Sequence, residues 1–515
     1  MYYLLQAVFI PLLLSPLAYY IGKRHGVNAS TWFTFAIMLY STLMLLLASL
    51  QGRYEEHYSW SQLGEFGLLL DGLSIPFALI IYILSTVLVL YSKPYMVHKI
   101  VEQYEHEHAN SGGAPVKAVV EVPVEYINSN MGIYYALYLA FAMGMLGTVL
   151  ATNLVQFYVF FELMLVPSFF LVALYGYGAR RRIALMYLFW THVGAVVLLI
   201  GLIAMGLAVG SFDMAAVNEA AIDEGLLPFI AGAIVIGLVV KLAIFPVHIW
   251  LPYAHAEAPT PISALLSPAM IGIGGYALAR LVMQLLPSTY ADISLWLNLG
   301  GLVTMIYGGA MALMQDDVKR VLAYSSISQM GYFLFGISSL SVIGSTGSVL
   351  LYVSHGTGKA LLFMMAGMLI MQAGTRSLAR LGGLAGKMPI TAVTAMIGGL
   401  AIMGIPPTNG FMAEWMLFLG VLESAVSVEH GSLVRVVAFA LAMAATVLTA
   451  AYILWMYKRI FYGSREGMEH VKEGSMYMAA PMMFLAVLTI VIGIYPDMFT
   501  SIIVPFMKAL LGGGL

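Results

Sequence analysis

Stretches of about twenty apolar residues, each closed by a short polar break, recur along nearly the whole chain. That is the length an α-helix needs to cross the hydrocarbon core of a bilayer. The runs fall at 4–22, 31–50, 74–92, 131–150, 153–175, 184–209, 227–250, 260–285, 293–314, 320–340, 345–373, 389–423, 433–462 and 476–496. They are continuous rather than alternating, so strands are not expected and a membrane barrel is excluded. Backbone groups in lipid must be satisfied within their own segment, which leaves helices. The expected fold is an all-α polytopic membrane protein of about fourteen transmembrane helices.

Charge agrees with this reading. Charged residues make up 9% of the chain, against roughly 25% in a soluble domain whose surface must be wetted. The absence of cysteine removes disulfides and cysteine-ligated zinc or iron–sulfur clusters. A net charge of −2 argues against a broad nucleic-acid-binding surface. The first run reads as a mature helix rather than a cleaved signal. With both termini outside, the inside loops carry seventeen Lys and Arg residues, among them Arg180, Arg181, Arg182, Lys319, Arg320, Lys117 and Arg465. The outside keeps four, Arg53, Arg280, Arg435 and Lys508. That split follows the positive-inside rule. The expected organisation is an N-terminal unit at 1–97, a polar inside loop at 98–130, five-helix units at 131–285 and 293–462, and an inside loop with the last helix at 463–515. His98, His106 and His108 share the polar loop without a ligand spacing, and no metal site is expected.

Ionisable residues inside the runs carry the functional signal. A charge at the bilayer centre costs about 2.5–3.5 kcal/mol on insertion scales, so it is functional by default. Glu162 lies within FYVFFELMLVP, about eight residues from a polar end and therefore roughly 12 Å deep. Lys241 lies in IVIGLVVKLAIFP, Glu414 in NGFMAEWMLFLG, and His355 and Lys359, four apart on one helix face, in YVSHGTGKALLF. One reading makes Glu162 and Lys241 a structural ion pair, although desolvation makes such a pair a poor stability device. The other makes the set a proton relay, since burial and a movable partner let lysine and glutamate exchange protons. His248 and His355 are the preferred imidazole relays, with His192 and His255 as additional candidates; an interfacial histidine is the simpler reading of each. Pro246 and Pro252 are expected to break helix seven, and Pro406 and Pro407 helix twelve. Two broken helices five apart suggest two repeats of opposite orientation, as in transporters; kinked helices without transport are the alternative.

These segments, with QDDVKRVLAYSSISQMGY and AAYILWMYKRIFYG, resemble the antiporter-like membrane subunits of respiratory complex I, especially the M-type (mitochondrial subunit 4). That family also includes subunits of Mrp-type antiporters, membrane-bound hydrogenases and F(420)H(2) dehydrogenases. The resemblance implies inverted repeats at helices 4–8 and 9–13 and a polar axis along the membrane plane. It implies that Glu162 and Lys241 form a switchable pair, that Lys359 is the lysine of the HxxxK motif, and that Glu414 is the helix-twelve glutamate. It departs at Gly272, where many members have a helix-eight lysine; water, His248 or His255 would have to bridge that gap.

The resemblance further implies a proton-translocating, possibly sodium-coupled, subunit of a redox-driven complex in a prokaryotic cytoplasmic membrane. No cofactor is expected in this chain; flavin, iron–sulfur clusters or a nickel–iron centre would sit in a peripheral redox module. The expected partners are other antiporter-like and small membrane subunits. The alternative is a subunit of a Mrp-type Na+/H+ antiporter without redox input. A transporter of organic solutes would instead need a roomy midplane cavity.

Overall fold

A computed structural model describes residues 2–61, 64–109, 121–428, 430–463 and 467–512; Lys117 and Arg465, counted above with the inside charges, lie outside the described residues. Helices stand at every expected run. The first half comprises α1 (Tyr3–Ser49), α2 (Ser74–Ala109), α3 (Val124–Leu150), α4 (Leu154–Tyr175), α5 (Arg180–Val209), α6 (Met214–Glu219), α7 (Leu227–Lys241), α8 (Trp250–Glu257), α9 (Thr260–Leu265) and α10 (Ile273–Ala277). The second comprises α11 (Pro287–Leu313), α12 (Val318–Ile337), α13 (Val342–Ala373), α14 (Pro389–Ile402), α15 (Asn409–Val426), α16 (Leu433–Phe461), α17 (Met476–Ile494) and α18 (Asp497–Leu511). Among the described residues, ten helical segments are long and apolar enough to cross a membrane. The first of them, α1, holds two expected runs: Gly26, at φ 88°, reverses the chain between them. Glycine is also needed where α1 meets α3, because a Cβ on Gly22 would lie 2.7 Å from the Cα of Gly132; small residues of this kind let membrane helices approach closely.

Three expectations change. An antiparallel hairpin, β1 (Tyr54–Ser61) with β2 (Gly64–Leu70), joins α1 to α2. It was invisible among twenty-residue apolar runs because its strands lie between them. Glu56 of β1 accepts from the backbone N–H groups of Leu4 and Leu5 at 2.9 Å each. A carboxylate thereby satisfies the orphan donors at the start of α1. The segment 98–130 is not wholly loop, since α2 runs on to Ala109 and α3 starts at Val124. Beyond α17, α18 buries Phe499, Ile503 and Met507, four residues apart, and exposes its other face. Its mixed pattern does not register as an apolar run.

The bundle is centred on two segments. Burial is unbroken from 344 to 369 in α13 and from 260 to 283. In the latter, π-helical turns at Leu266–Met270 and Leu278–Met283 flank α10. Such turns interrupt regular helix packing and cluster at functional sites.

Both expected breaks are present, and they share one backbone geometry. Residues Ala243 (φ 54°) and Gly404 (φ 64°) take the left-handed conformation just past α7 and α14. Three residues past the end of each helix, the N–H groups of Ile244 and Ile405 reach back five residues to the carbonyls of Val239 and Leu400, both at 3.0 Å. This is the Schellman closure of a helix C-terminus. Side chains add to the closure: the Gln329 amide donates to the Ile402 carbonyl (3.2 Å), and the Trp250 indole donates to the Val240 carbonyl (3.0 Å), which also accepts the Ala243 N–H (3.1 Å). The interruption is thus tolerated in a membrane because protein groups replace the lost ladder. Pro246, Pro406 and Pro407 lie in the breaks, but Pro252 does not. It sits in the first turn of α8, where a missing N–H leaves no bond unmade.

Candidate functional site

Glu162 projects from α4 and is half-buried; one carboxylate oxygen, Oε2, lies 3.2 Å from His192 Nδ1 on α5, and Oε1 is buried without a hydrogen-bond partner. Lys241 ends α7. Its Nζ is buried, has no hydrogen-bond partner, and stands 4.8 Å from the centre of the Phe161 ring. Glu162 is near enough for its charge to act on Lys241, but no contact within ion-pair distance joins them among the described residues. The carboxylate is paired with His192 instead, and the lysine is left open.

Gly272 lies between the two π-helical turns, and its missing side chain leaves no hole. An added Cβ would meet the Tyr352 ring at 2.1 Å. That ring stacks on Phe77 with centroids 4.1 Å apart, and its hydroxyl reaches the Ala269 carbonyl at 3.4 Å. An aromatic side chain from α13 thus packs directly on Gly272, the position past which water, His248 or His255 was expected to bridge.

Past this plug, basic groups gather around α13. Lys359 is fully buried and donates to Ser325 Oγ (2.5 Å) and to the Leu322 carbonyl (3.1 Å) on α12. His355, one turn before it, and His255, on α8, are fully buried with all four ring nitrogens unpartnered. Each histidine feels the charge of Lys359, and His255 also that of Lys319. Lys319 was counted among the inside loop charges. The structure corrects this: it lies in the first turn of α12, fully buried, donating to the carbonyls of Ala256 (3.4 Å) and Ala258. His248 stands apart, with Nε2 3.2 Å from the Tyr307 hydroxyl and its ring stacked on Phe245. It does not join the cluster.

The next link was also unforeseen. Ser325 donates to the Tyr452 hydroxyl at 2.9 Å, and Tyr452 lies near enough to Glu414 for that charge to act on it. The polar run YSSIS inside an otherwise apolar helix was the available signal for Ser325; Tyr452 lies in the motif AAYILWMYKRIFYG, where nothing marked it out as a relay group. Glu414 is buried on α15, with Oε1 unpartnered. It borders a cavity of about 360 Å³ walled mainly by Phe411, Trp415, Phe418 and Phe439.

A second buried charge pair stands at the opposite end of the bundle. Arg280 was expected in an outside loop but is buried in the second π-helical turn. It donates to Asp71 at 2.7 Å, to Tyr276 at 3.1 Å and to Gln284 at 2.8 Å. Burial pushes the Asp71 carboxyl up, and the Arg280 guanidinium with Ser74 more than offsets this, holding it below its ordinary value. Among the described residues, no three His, Cys, Asp or Glu side chains gather where they could hold a metal ion.

A break next to a buried lysine, a second break next to a buried glutamate, and basic groups between them narrow the comparison to ion-translocating membrane subunits. Residues 151–449 match the family described as NADH:quinone oxidoreductase/Mrp antiporter, transmembrane. The chain belongs to this family. A curated relative, NAD(P)H-quinone oxidoreductase chain 4 3 of Picosynechococcus sp., is 34% identical over 339 residues, 65% of this chain and 61% of that protein. The chain thus aligns with less than two thirds of that relative's length. The F(420)H(2) dehydrogenase subunit M of Methanosarcina mazei is 34% identical over 378 residues, covering 71% and 74%. In fold, the chain superposes on a chain of respiratory complex I from Thermus thermophilus with a TM-score of 0.84 at 24% identity, covering 99% of this chain and all of that one. The family resemblance drawn from the motifs is therefore correct, and the protein is an integral membrane antiporter-like subunit.

Proposed function

We propose that this chain is the proton-translocating subunit of a redox-driven membrane complex related to complex I. The observation that carries the reading is the set of fully buried basic groups at the bundle centre. Lys359, His255 and His355 are withdrawn from solvent, and the two histidines have no hydrogen-bond partner. Burying such groups has no structural return, whereas a proton path needs sites that gain and lose a proton in low dielectric.

In this reading Glu162 alternates between His192 and Lys241, and closing on Lys241 favours its protonated form. Opening releases the proton toward His355 and Lys359. Ser325 and Tyr452 then pass it toward Glu414. His248 serves as a side group at the first break, hydrogen-bonded to Tyr307. Fourteen spans, inverted repeats at helices 4–8 and 9–13, and both termini outside complete the proposed topology; the matching Schellman closures after α7 and α14 support the repeats. The driving redox chemistry would lie in partner subunits that hold flavin, iron–sulfur or nickel–iron centres, with no redox site in this chain. Small and antiporter-like membrane subunits of a prokaryotic cytoplasmic membrane would be its neighbours.

The test is ion uptake by the purified complex in liposomes. Lys241→Ala and Glu162→Gln should abolish uptake; wild-type uptake in either would sink the relay. The family name also covers Mrp antiporters, which supports a second reading without redox input. Co-purification separates the two: cluster-bearing partners fit the first, and only small membrane subunits fit the second.

A further inference from the structure

The central cluster of the relay, Lys359, His255 and His355, is sealed from solvent. Lys319 is a buried ionisable group that the path leaves unused, and its charged neighbours Asp317, Glu257 and Arg376 line open space. A cavity of about 680 Å³ opens on the arginine-bearing face between the α4–α5 loop, α8 and the start of α12. Glu102, Glu257, Asp316 and Asp317 outnumber Arg320 and Arg376 in its wall. Carboxylates lining a cleft focus potential and raise the local concentration of cations.

Lys319 does not itself line this mouth; it is buried behind the wall, next to the lining residues Asp317, Glu257 and Arg376. From the surrounding elements it faces Asp317 and Glu257, which attract it, and Arg376 and Lys99, which repel it; the Tyr177 ring stands 5.6 Å away. Its carbonyl partners, Ala256 and Ala258, directly follow His255 in sequence. The His255 ring nitrogens are unpartnered although the residue is fully buried. Arg376 also donates to Ala256 at 2.6 Å, which fixes the carbonyl that Lys319 leans on.

We propose that this acidic vestibule is the inlet for hydronium, and that Lys319 hands the proton from it to His255. The step balances simply: the Lys319 amine takes a proton from hydronium and leaves water, then gives that proton to a His255 ring nitrogen and returns to the amine. The inference rests on the relay reading above and adds its source.

The experiment is proton uptake by the purified complex in liposomes, read with an internal pH dye, alongside the amount of assembled complex. Lys319→Arg keeps the positive charge and the donors for both carbonyls, yet a guanidinium does not give up its proton. A structural role therefore predicts normal uptake, and the inlet predicts a loss of at least about tenfold, tenfold being 1.4 kcal/mol of barrier. Normal uptake by assembled Lys319→Arg complex overturns the inlet. Glu257→Gln, which removes one vestibule carboxylate and keeps its volume, keeps the idea testable if Lys319→Arg does not assemble. It should slow uptake several-fold at low ionic strength and less at high, and a salt-independent wild-type rate overturns the inlet too. Lys241→Ala separates the two ideas. If it fails to pump while both inlet variants pump normally, only the inlet is wrong; if it pumps normally, the relay itself is wrong.

Discussion

Gly272 and Tyr352 meet so closely that a Cβ on the glycine would lie 2.1 Å from the tyrosine ring. The ring cannot swing aside freely, since it is stacked on Phe77. At the position where the resemblance implies a helix-eight lysine in many members, this chain interlocks a glycine with an aromatic ring.

Gly272→Ala should destabilise the protein by about 1–3 kcal/mol, the usual cost of overpacking a filled core. Gly272→Lys should do worse alone and recover when combined with Tyr352→Ala, which empties the space. Thermal unfolding in detergent, read across the two single variants and the double, checks this. Independent, additive losses would mean that the two sites do not share the space.

The left-handed residue after α7 is an alanine and that after α14 a glycine. A side chain in that conformation costs about 1–2 kcal/mol. Ala243→Gly should thus stabilise by about 1 kcal/mol, and Gly404→Ala should destabilise by more than that. The second change has an added cause, because the new Cβ would lie 2.4 Å from Glu414 Oε2. Unfolding midpoints measured under one lipid or detergent condition would show the opposite signs.

Trp250 and Gln329 hold the carbonyls freed by the two breaks. Trp250→Phe and Gln329→Leu keep most of the volume and remove the donor. Gln329→Leu should cost about 1–3 kcal/mol, the penalty for an unsatisfied buried acceptor, and Trp250→Phe only about 0.5–1.5 kcal/mol, because the Val240 carbonyl keeps the Ala243 N–H. If either variant unfolds like wild type, water or another group is serving that carbonyl.

The Asp71–Arg280 pair should behave as a buried charge pair. Arg280→Gln leaves the Asp71 carboxylate uncompensated and should cost about 3–5 kcal/mol. The Asp71 carboxyl is held below its ordinary value in the folded protein. Its stabilisation is therefore complete above the unfolded value, about pH 4, and is lost as pH falls through the folded value. Asp71→Asn should flatten that acid limb in a stability-versus-pH series; an unchanged limb would assign it to other carboxyls.

Much of this protein was legible in order of residues alone. Apolar runs of membrane length fix helices locally, because lipid leaves the backbone no other partner, and helices stand at every one of them. Lys241, His355, Lys359 and Glu414 announced themselves because each interrupts such a run, and Pro246 and Pro406–Pro407 marked the breaks. Other features needed the tertiary structure. Lys319 and Arg280 sit near run ends and read as loop charges until neighbouring segments cover them. Arg280's partner lies 209 residues away, and no local pattern encodes that distance. Pro252 looked like a breaker but falls in a first turn, where proline is harmless. The pairing of Glu162 with His192 and the filling of Gly272 by Tyr352 are likewise packing outcomes. Composition along the chain sets helix and depth, since these depend on each segment's own exchange with lipid; which charges meet depends on how the segments are laid side by side.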